Sequence, residues 1–171
     1  MTDCGPCKHY LEMQISRNRN LRILTLSQRT YLQGVLDHFG FNDLRPASTP
    51  MEHGLTLLPA TDLADPEFTT HYQSAIGSLM YAMTQMHPDI AYAVSVLSRF
   101  AHNPDESHWN ALKRVFRYIQ GTLDVGIWYT GNKGHRLDLK GCSDSDWGGD
   151  KEMRKSTSGY VFQLANGPVS W

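Results

Sequence analysis

This sequence of 171 residues has few cysteines, a net charge close to zero and few long apolar runs. Three cysteines, an odd number, do not indicate the disulfide framework of a secreted protein. A formal net charge of -1 neither favours nor excludes a nucleic-acid partner. The most apolar window, SAIGSLMYAM, is too short and interrupted to span a bilayer, and no signal-peptide pattern follows Met1. We therefore expect a globular protein of the cytoplasm or nucleus, with no signal peptide and no membrane partner.

A Cys-x-x-Cys pattern, Cys4 to Cys7, is typical of thioredoxin-like enzymes. In such enzymes a helix N-terminus lowers the pKa of the reactive thiol, and a strand-helix-strand unit of roughly 30 residues or more precedes the motif. Only three residues precede Cys4, and the residues after Cys7 alternate as in a strand. The sequence therefore predicts no redox pair at Cys4 and Cys7, and a thioredoxin-like protein is the less favoured alternative.

Alternation of apolar and polar residues predicts an N-terminal β-hairpin. Its strands contain Leu11, Met13 and Ile15 before the polar turn SRNRN and Ile23 after it. The turn, at Arg19–Arg22, also fits the Arg-x-Leu-Arg signature of secreted oomycete effectors. Three fixed letters carry little information, so a basic hairpin turn is the favoured interpretation.

Helical spacing follows in SQRTYLQGVLDHFGF, where Ser27 can cap the start of a helix and Gly40 its end. Residues 43–70, rich in proline, threonine, alanine and aspartate, are predicted as a linker.

Three more helices are predicted in residues 71–135, in HYQSAIGSLMYAMTQM, PDIAYAVSVLSRFA and PDESHWNALKRVFRYIQGT. Asn103 is the expected cap of the third helix and Gly121 its expected end. Apolar positions at core spacing include Tyr72, Ile76, Leu79, Met80, Ile90, Val94, Leu97, Trp109, Leu112, Phe116 and Ile119.

The C-terminal part returns to strand patterns, which we expect near 137–143 and 158–164. The ANGP stretch predicts a hairpin turn after the second of these strands. The expected fold class is therefore α+β.

Two sets of side chains are candidates for chemistry. The stretch CSDSDWGGD places Asp144, Asp146 and Asp150 at a strand end, and carboxylate oxygens are the ligands that Mg²⁺ prefers. For an isolated run of this kind, a solvated turn is the favoured interpretation. Four cations could form a basic nucleic-acid-binding face, with a solvated helix face as the alternative; they are Arg99, Lys113, Arg114 and Arg117.

Long motifs in fixed order give the chain a family resemblance. They read ASTPM, YQSAIGSLMYAMTQMHPDIAYAVSVLSRF, HWNALKRVFRYIQGT and SDSDWGGDKEMRKSTSGYVFQLANGPVSW. In these motifs the chain closely resembles the polyprotein of copia-type retrotransposons. It departs from the family pattern at Cys4, usually an apolar residue, and at Glu12, usually the glycine of Leu-Gly-x-x-Ile.

The resemblance implies four consecutive segments. Residues 1–42 would be the end of the reverse transcriptase palm hairpin and a first thumb-like helix, followed by the linker 43–70. Residues 71–135 would form a helical thumb- or connection-like region. Residues 136–171 would be a truncated N-terminal part of an RNase H-like domain, with an incomplete ribonuclease-H-like sheet.

The resemblance also implies what chemistry to expect. The polymerase uses paired aspartates to hold two Mg²⁺ ions, and this chain has no Asp-Asp pair. Asp144 matches the first RNase H carboxylate, and Asp146 is the weaker candidate. We therefore expect no catalysis by this chain alone and no stably bound cofactor. Mg²⁺ and an RNA–DNA hybrid or primer–template would belong to the parent enzyme. A recruited nucleic-acid- or protein-binding module is the alternative.

Overall fold

The computed structural model describes residues 5–131, 138–147 and 156–171. The described residues group into two units, neither of which is continuous in sequence. The strand unit comprises the described residues within 1–10, 14–26 and 126–171. The helical unit comprises residues 11–13 and 27–125.

The first sheet of the strand unit confirms the N-terminal hairpin. Its order is β1-β2-β3-β4. Leu21 N–H donates to Asn18 Oδ1 at 3.0 Å in the turn that contains the Arg-x-Leu-Arg letters. Strand β3 pairs antiparallel with β4, which is why the hairpin groups with the C-terminal strands. The strands are β1 (His9–Tyr10), β2 (Met13–Asn18), β3 (Ile23–Ser27) and β4 (Ile127–Thr130).

A second antiparallel sheet has the order β5-β6-β7, with β5 at Lys140–Ser145, β6 at Ser158–Leu164 and β7 at Gly167–Ser170. The predicted strand 158–164 is confirmed, whereas the strand expected at 137–143 ends two residues later, at Ser145. The predicted hairpin turn is also confirmed. Ala165 and Asn166 have φ values of 51° and 66°, the left-handed pair that a two-residue hairpin turn requires.

Four α-helices and one 3₁₀ turn make up the described secondary structure of the helical unit. They are α1 (Arg29–Phe39), α2 (Pro66–Gln85), the 3₁₀ turn Pro88–Ile90, α3 (Ala91–Ser98) and α4 (Glu106–Thr122). Their apolar stripes pack into one core, as the helical spacing predicted. Its fully buried side chains include Leu32, Leu36, Tyr72, Leu79, Ile90, Leu97, Leu112, Phe116 and Ile119.

Met80 is a correction to the predicted core, because 42% of its surface is exposed. The buried stripe of α2 is centred instead on Tyr72, Ala75, Ile76 and Leu79. Antiparallel sheets with four α-helices agree with the expected α+β class. None of the helices in the described ranges is both long and apolar enough to cross a membrane.

The starts of α1 and α2 differ from the sequence prediction. At α1 the N-cap is Gln28 rather than Ser27, whose Oγ accepts the N–H of Arg29 at 3.3 Å. At α2 the N-cap is Asp65. Asp65 Oδ2 accepts the N–H groups of Glu67 and Phe68 at 3.0 and 3.1 Å. Pro66 then occupies the first turn, where its missing N–H costs nothing. Residues 66–70, predicted as linker, therefore belong to the helix.

Both predicted ends of α4 are also corrected. Asp105, not Asn103, is the N-cap. Asn103 instead holds the linker, donating to Asp62 O at 3.0 Å and accepting from Ala64 N–H at 2.8 Å. Gly121 lies inside the helix, which ends at Thr122. A Cβ on Gly121 would lie 3.1 Å from the Cβ of Pro46, so close packing accounts for this glycine.

Candidate functional site

The carboxylate candidates lie at the end of β5. Asp144 is opposite Gly159 of β6, and its Oδ1 accepts the N–H of Ser145 at 2.8 Å. Asp146 follows the strand and exchanges two hydrogen bonds with Thr157. Its N–H donates to Thr157 O at 3.0 Å, and its Oδ1 accepts Thr157 N–H at 2.5 Å. Both aspartates are exposed.

Asp144 and Asp146 fit a Mg²⁺ site only in part. Residues two apart along an extended chain project to the same side, so the two carboxylates can face one ion. Each already accepts a backbone N–H. Asp150 lies outside the described residues. Among those described, no group of three or more His, Cys, Asp or Glu side chains is placed to hold a metal. Two oxygen ligands would leave a hard cation mostly hydrated.

Two of the four predicted basic residues contact the linker. Arg114 donates from Nε to Thr49 O at 3.2 Å and from Nη2 to Thr49 Oγ1 at 3.0 Å, and its Nη1 lies 2.9 Å from Glu52 Oε1. Arg117 Nε donates to Arg45 O at 2.7 Å. These contacts tie the proline-rich segment to α4.

The other two basic residues lie in different surroundings. Lys113 Nζ is 5.8 Å from the centre of the Trp109 ring and 3.9 Å from Glu106 Oε1. Arg99 ends helix α3 as its C-cap residue. The structure thus divides the predicted basic residues between linker contacts, a cation–π contact and a helix end.

A buried histidine in the α4 cap was missed from the sequence. Asp105 Oδ1 accepts the N–H groups of Ser107 and His108, and His108 Nδ1 accepts Asp105 N–H at 2.9 Å. The His108 ring stacks on Phe100 with centroids 4.0 Å apart and is fully buried. Burial lowers the pKa of His108, although the Asp105 carboxylate pulls it upward. A capping box usually has Glu or Gln at this position, which is why the signal was overlooked.

A second polar cluster joins the 3₁₀ turn to α4. Tyr118 donates from its hydroxyl to Asp89 Oδ2 at 2.8 Å, and His87 Nδ1 lies 3.4 Å from Asp89 Oδ1. Burial raises the pKa of Asp89, but the hydrogen bonds from His87 and Tyr118 outweigh it and leave the pKa below its ordinary value. Burial and the Asp89 hydrogen bond raise the pKa of Tyr118 to about 12. The cluster therefore keeps an ionised carboxylate and a neutral phenol at neutral pH.

The cysteine pattern falls partly outside the described residues, which do not include Cys4. Cys7 is exposed, and its thiol donates to the carbonyl of His9 at 3.4 Å. The residues after Cys7 form β1 rather than a helix. The absence of redox activity stays a prediction.

The sequence is similar to several proteins from transposons and to two other kinds of protein. It is 42% identical over 176 residues to a retrovirus-related Pol polyprotein from transposon TNT 1-94 of Nicotiana tabacum, covering all of this chain and 13% of the polyprotein. An uncharacterized mitochondrial protein of Arabidopsis thaliana is 34% identical over 171 residues, covering all of this chain and 68% of that protein. Secreted RxLR effector protein 161 of Plasmopara viticola is 52% identical over 100 residues, covering 58% of this chain and 69% of the effector.

These matches differ in how much of each relative they span. The chain covers between 10% and 13% of the length of the Pol polyproteins that it matches in N. tabacum and A. thaliana. No protein-family model and no solved structure matches the chain.

Proposed function

Since this chain belongs to the family of copia-type retrotransposon Pol polyproteins, we propose that it is a polyprotein segment that catalyses no reaction by itself. In this proposal the helical unit corresponds to a thumb- or connection-like region of a reverse transcriptase. The sheet β5-β6-β7 corresponds to the start of an RNase H-like domain. The primer–template and the RNA–DNA hybrid would be ligands of the parent enzyme.

The state of Asp144 and Asp146 is the observation that carries this proposal. Hydrolysis of a phosphodiester by two metal ions about 4 Å apart needs carboxylates from several elements around both ions. Here two exposed carboxylates lie within three consecutive residues. Asp144 already accepts the N–H of Ser145, and Asp146 accepts the N–H of Thr157. We assign Asp144 as a remnant metal ligand and Asp146 mainly as a link between β5 and the start of β6.

We assign Arg114 and Arg117 to holding the linker rather than to binding nucleic acid. The Arg114 guanidinium uses three nitrogen atoms on Thr49 and Glu52, and its side chain is only 22% exposed. A phosphate would have to displace these contacts. The occupied guanidinium of Arg114 therefore disfavours a recruited nucleic-acid-binding role for this face.

A metal titration tests the assignment of Asp144. Mn²⁺ added to the full chain should broaden the amide NMR signals of residues 143–147, with an affinity of about millimolar or weaker, because the ion keeps most of its waters. Asp144→Asn should abolish the broadening. The matched control Asp43→Asn, which removes an exposed carboxylate from the other unit, should leave it unchanged. Micromolar affinity, or two ions bound per chain at this site, would overturn the assignment.

A further inference from the structure

A groove of about 290 Å³ lies on the helical unit, where the turn after β1 meets helix α1. The turn contributes Glu12, helix α1 contributes most of the remaining wall, and Ser78 of α2 completes it. The lining includes Glu12, Thr30, Tyr31, Gly34, His38 and Phe39. A Cβ built on Gly34 would meet no atom within 4 Å, so the middle of the groove is open.

Two tyrosines hold the groove in shape. Tyr81 donates from its hydroxyl to Leu11 O at 2.7 Å, which fixes the turn to α2. Tyr31 donates to Ser78 O at 3.0 Å, and the two tyrosine rings meet edge to face with centroids 5.0 Å apart. The wall that bears Glu12 is therefore fixed to the helices.

Glu12 stands at a position that favours glycine. Its φ is 60° and that of Leu11 is 46°, both in the left-handed region, where a non-glycine residue is strained. The family resemblance also places a glycine at this position. This chain thus keeps an acidic side chain at an unfavourable backbone angle beside the groove.

The Glu12 carboxylate carries an unbalanced charge. Within the described part of the chain it makes no hydrogen bond and no ion pair. Glu12, Tyr31 and Phe39 line the same groove, so the carboxylate lies beside its aromatic wall. Burial raises the pKa of Tyr31, and the negative charge of Glu12 adds a smaller rise. Tyr31 and Phe39 are half-buried. An anion beside aromatic rings that keep part of their surface open is an arrangement that attracts a planar cation.

We propose that this groove binds the guanidinium group of an arginine side chain. The guanidinium can donate two parallel hydrogen bonds to the Glu12 carboxylate and stack on the rings of Tyr31 or Phe39. The volume is slightly below the range of pockets that enclose drug-sized molecules, which suits one long side chain.

A peptide titration followed by NMR tests the proposal. The probe is a short peptide, acetyl-Gly-Arg-Gly-amide, and its control replaces arginine by citrulline, which has the same shape but no charge. The arginine peptide should shift the signals of Glu12, Tyr31 and His38, and the citrulline peptide should not. Glu12→Gln should weaken binding about fivefold, as expected for loss of one partly exposed ion pair. Glu67→Gln, which removes an exposed carboxylate elsewhere on the helical unit, should not.

A second variant blocks the groove without changing its charge. Gly34→Gln places a side chain in the open space, with no Cβ clash, and should reduce binding at unchanged or higher melting temperature. Absence of binding, equal binding of both peptides, or binding that survives both Glu12→Gln and Gly34→Gln would overturn the proposal.

Discussion

Replacing Asp105 by alanine should loosen the first turn of α4. The substitution removes the acceptor of the Ser107 and His108 N–H groups, and loss of an N-cap side chain costs about 1 kcal/mol, up to about 2 kcal/mol. The His108 N–H is partly buried, so leaving it without an acceptor places the expected loss toward the upper value. Asp105→Asn keeps an acceptor oxygen and should cost only a few tenths of a kcal/mol.

Hydrogen exchange of the backbone amides distinguishes this cap from the one that the sequence suggested. In Asp105→Ala, amides of residues 107–109 should exchange faster, while urea unfolding gives the loss in free energy. In Asn103→Ala, the faster amides should instead lie near Ala64, whose N–H loses its acceptor. If Asn103→Ala, and not Asp105→Ala, speeds exchange in the first turn of α4, then Asp105 is not the cap of this helix.

Three further changes test the packing and the electrostatics. Tyr72→Phe should lower the free energy of unfolding by about 1 kcal/mol, because it removes the hydroxyl that donates to the Leu97 carbonyl at 2.9 Å, while the Phe100 N–H still donates to that carbonyl at 3.1 Å. A urea midpoint equal to that of the wild type would contradict this. Arg114→Ala should lower the free energy of unfolding by about 1–2 kcal/mol, whereas Lys113→Ala should change it by no more than about 0.5 kcal/mol. If Lys113→Ala were the more destabilising change, Arg114 would have no structural role of this kind. The free energy of unfolding should fall as the pH drops below about 6.5, because His108 then binds a proton more readily in the unfolded chain than in the folded chain, where its pKa is lowered. His108→Gln should flatten this part of the stability–pH curve. An unchanged slope would show that other groups cause the pH dependence.

The sequence predicted the kinds of element better than their ends or their partners. Period-two alternation identified the hairpin around Arg19–Arg22, and helical spacing identified α1 and α4, because these signals are local. The cap of α4 was misplaced because Asn103 and Asp105 are both good cap residues. Only the structure shows that His108 completes a box with Asp105.

Long-range contacts gave no signal in the sequence. Pairing of β3 with β4 joins residues about a hundred positions apart, and periodicity does not specify strand partners. The partner of Arg114 was likewise invisible in the sequence. Its charge suggested a nucleic-acid contact, but the side chain contacts Thr49, 65 positions away. Asp144 was chosen by family resemblance, and its exposure and backbone hydrogen bond became visible only in the folded chain.

Incubation of the purified chain with a labelled RNA–DNA hybrid and with a primed template tests whether the chain catalyses hydrolysis or DNA synthesis by itself. With Mg²⁺ or Mn²⁺ present, the hybrid should remain intact and the primer should not be extended, because two exposed carboxylates do not hold two ions for in-line attack. Asp144→Asn is assayed in parallel as a control. Cleavage by a contaminating nuclease would persist in this variant, whereas cleavage by the chain would be lost. Cleavage of the hybrid that requires the metal and disappears in Asp144→Asn would show that the chain is a nuclease by itself.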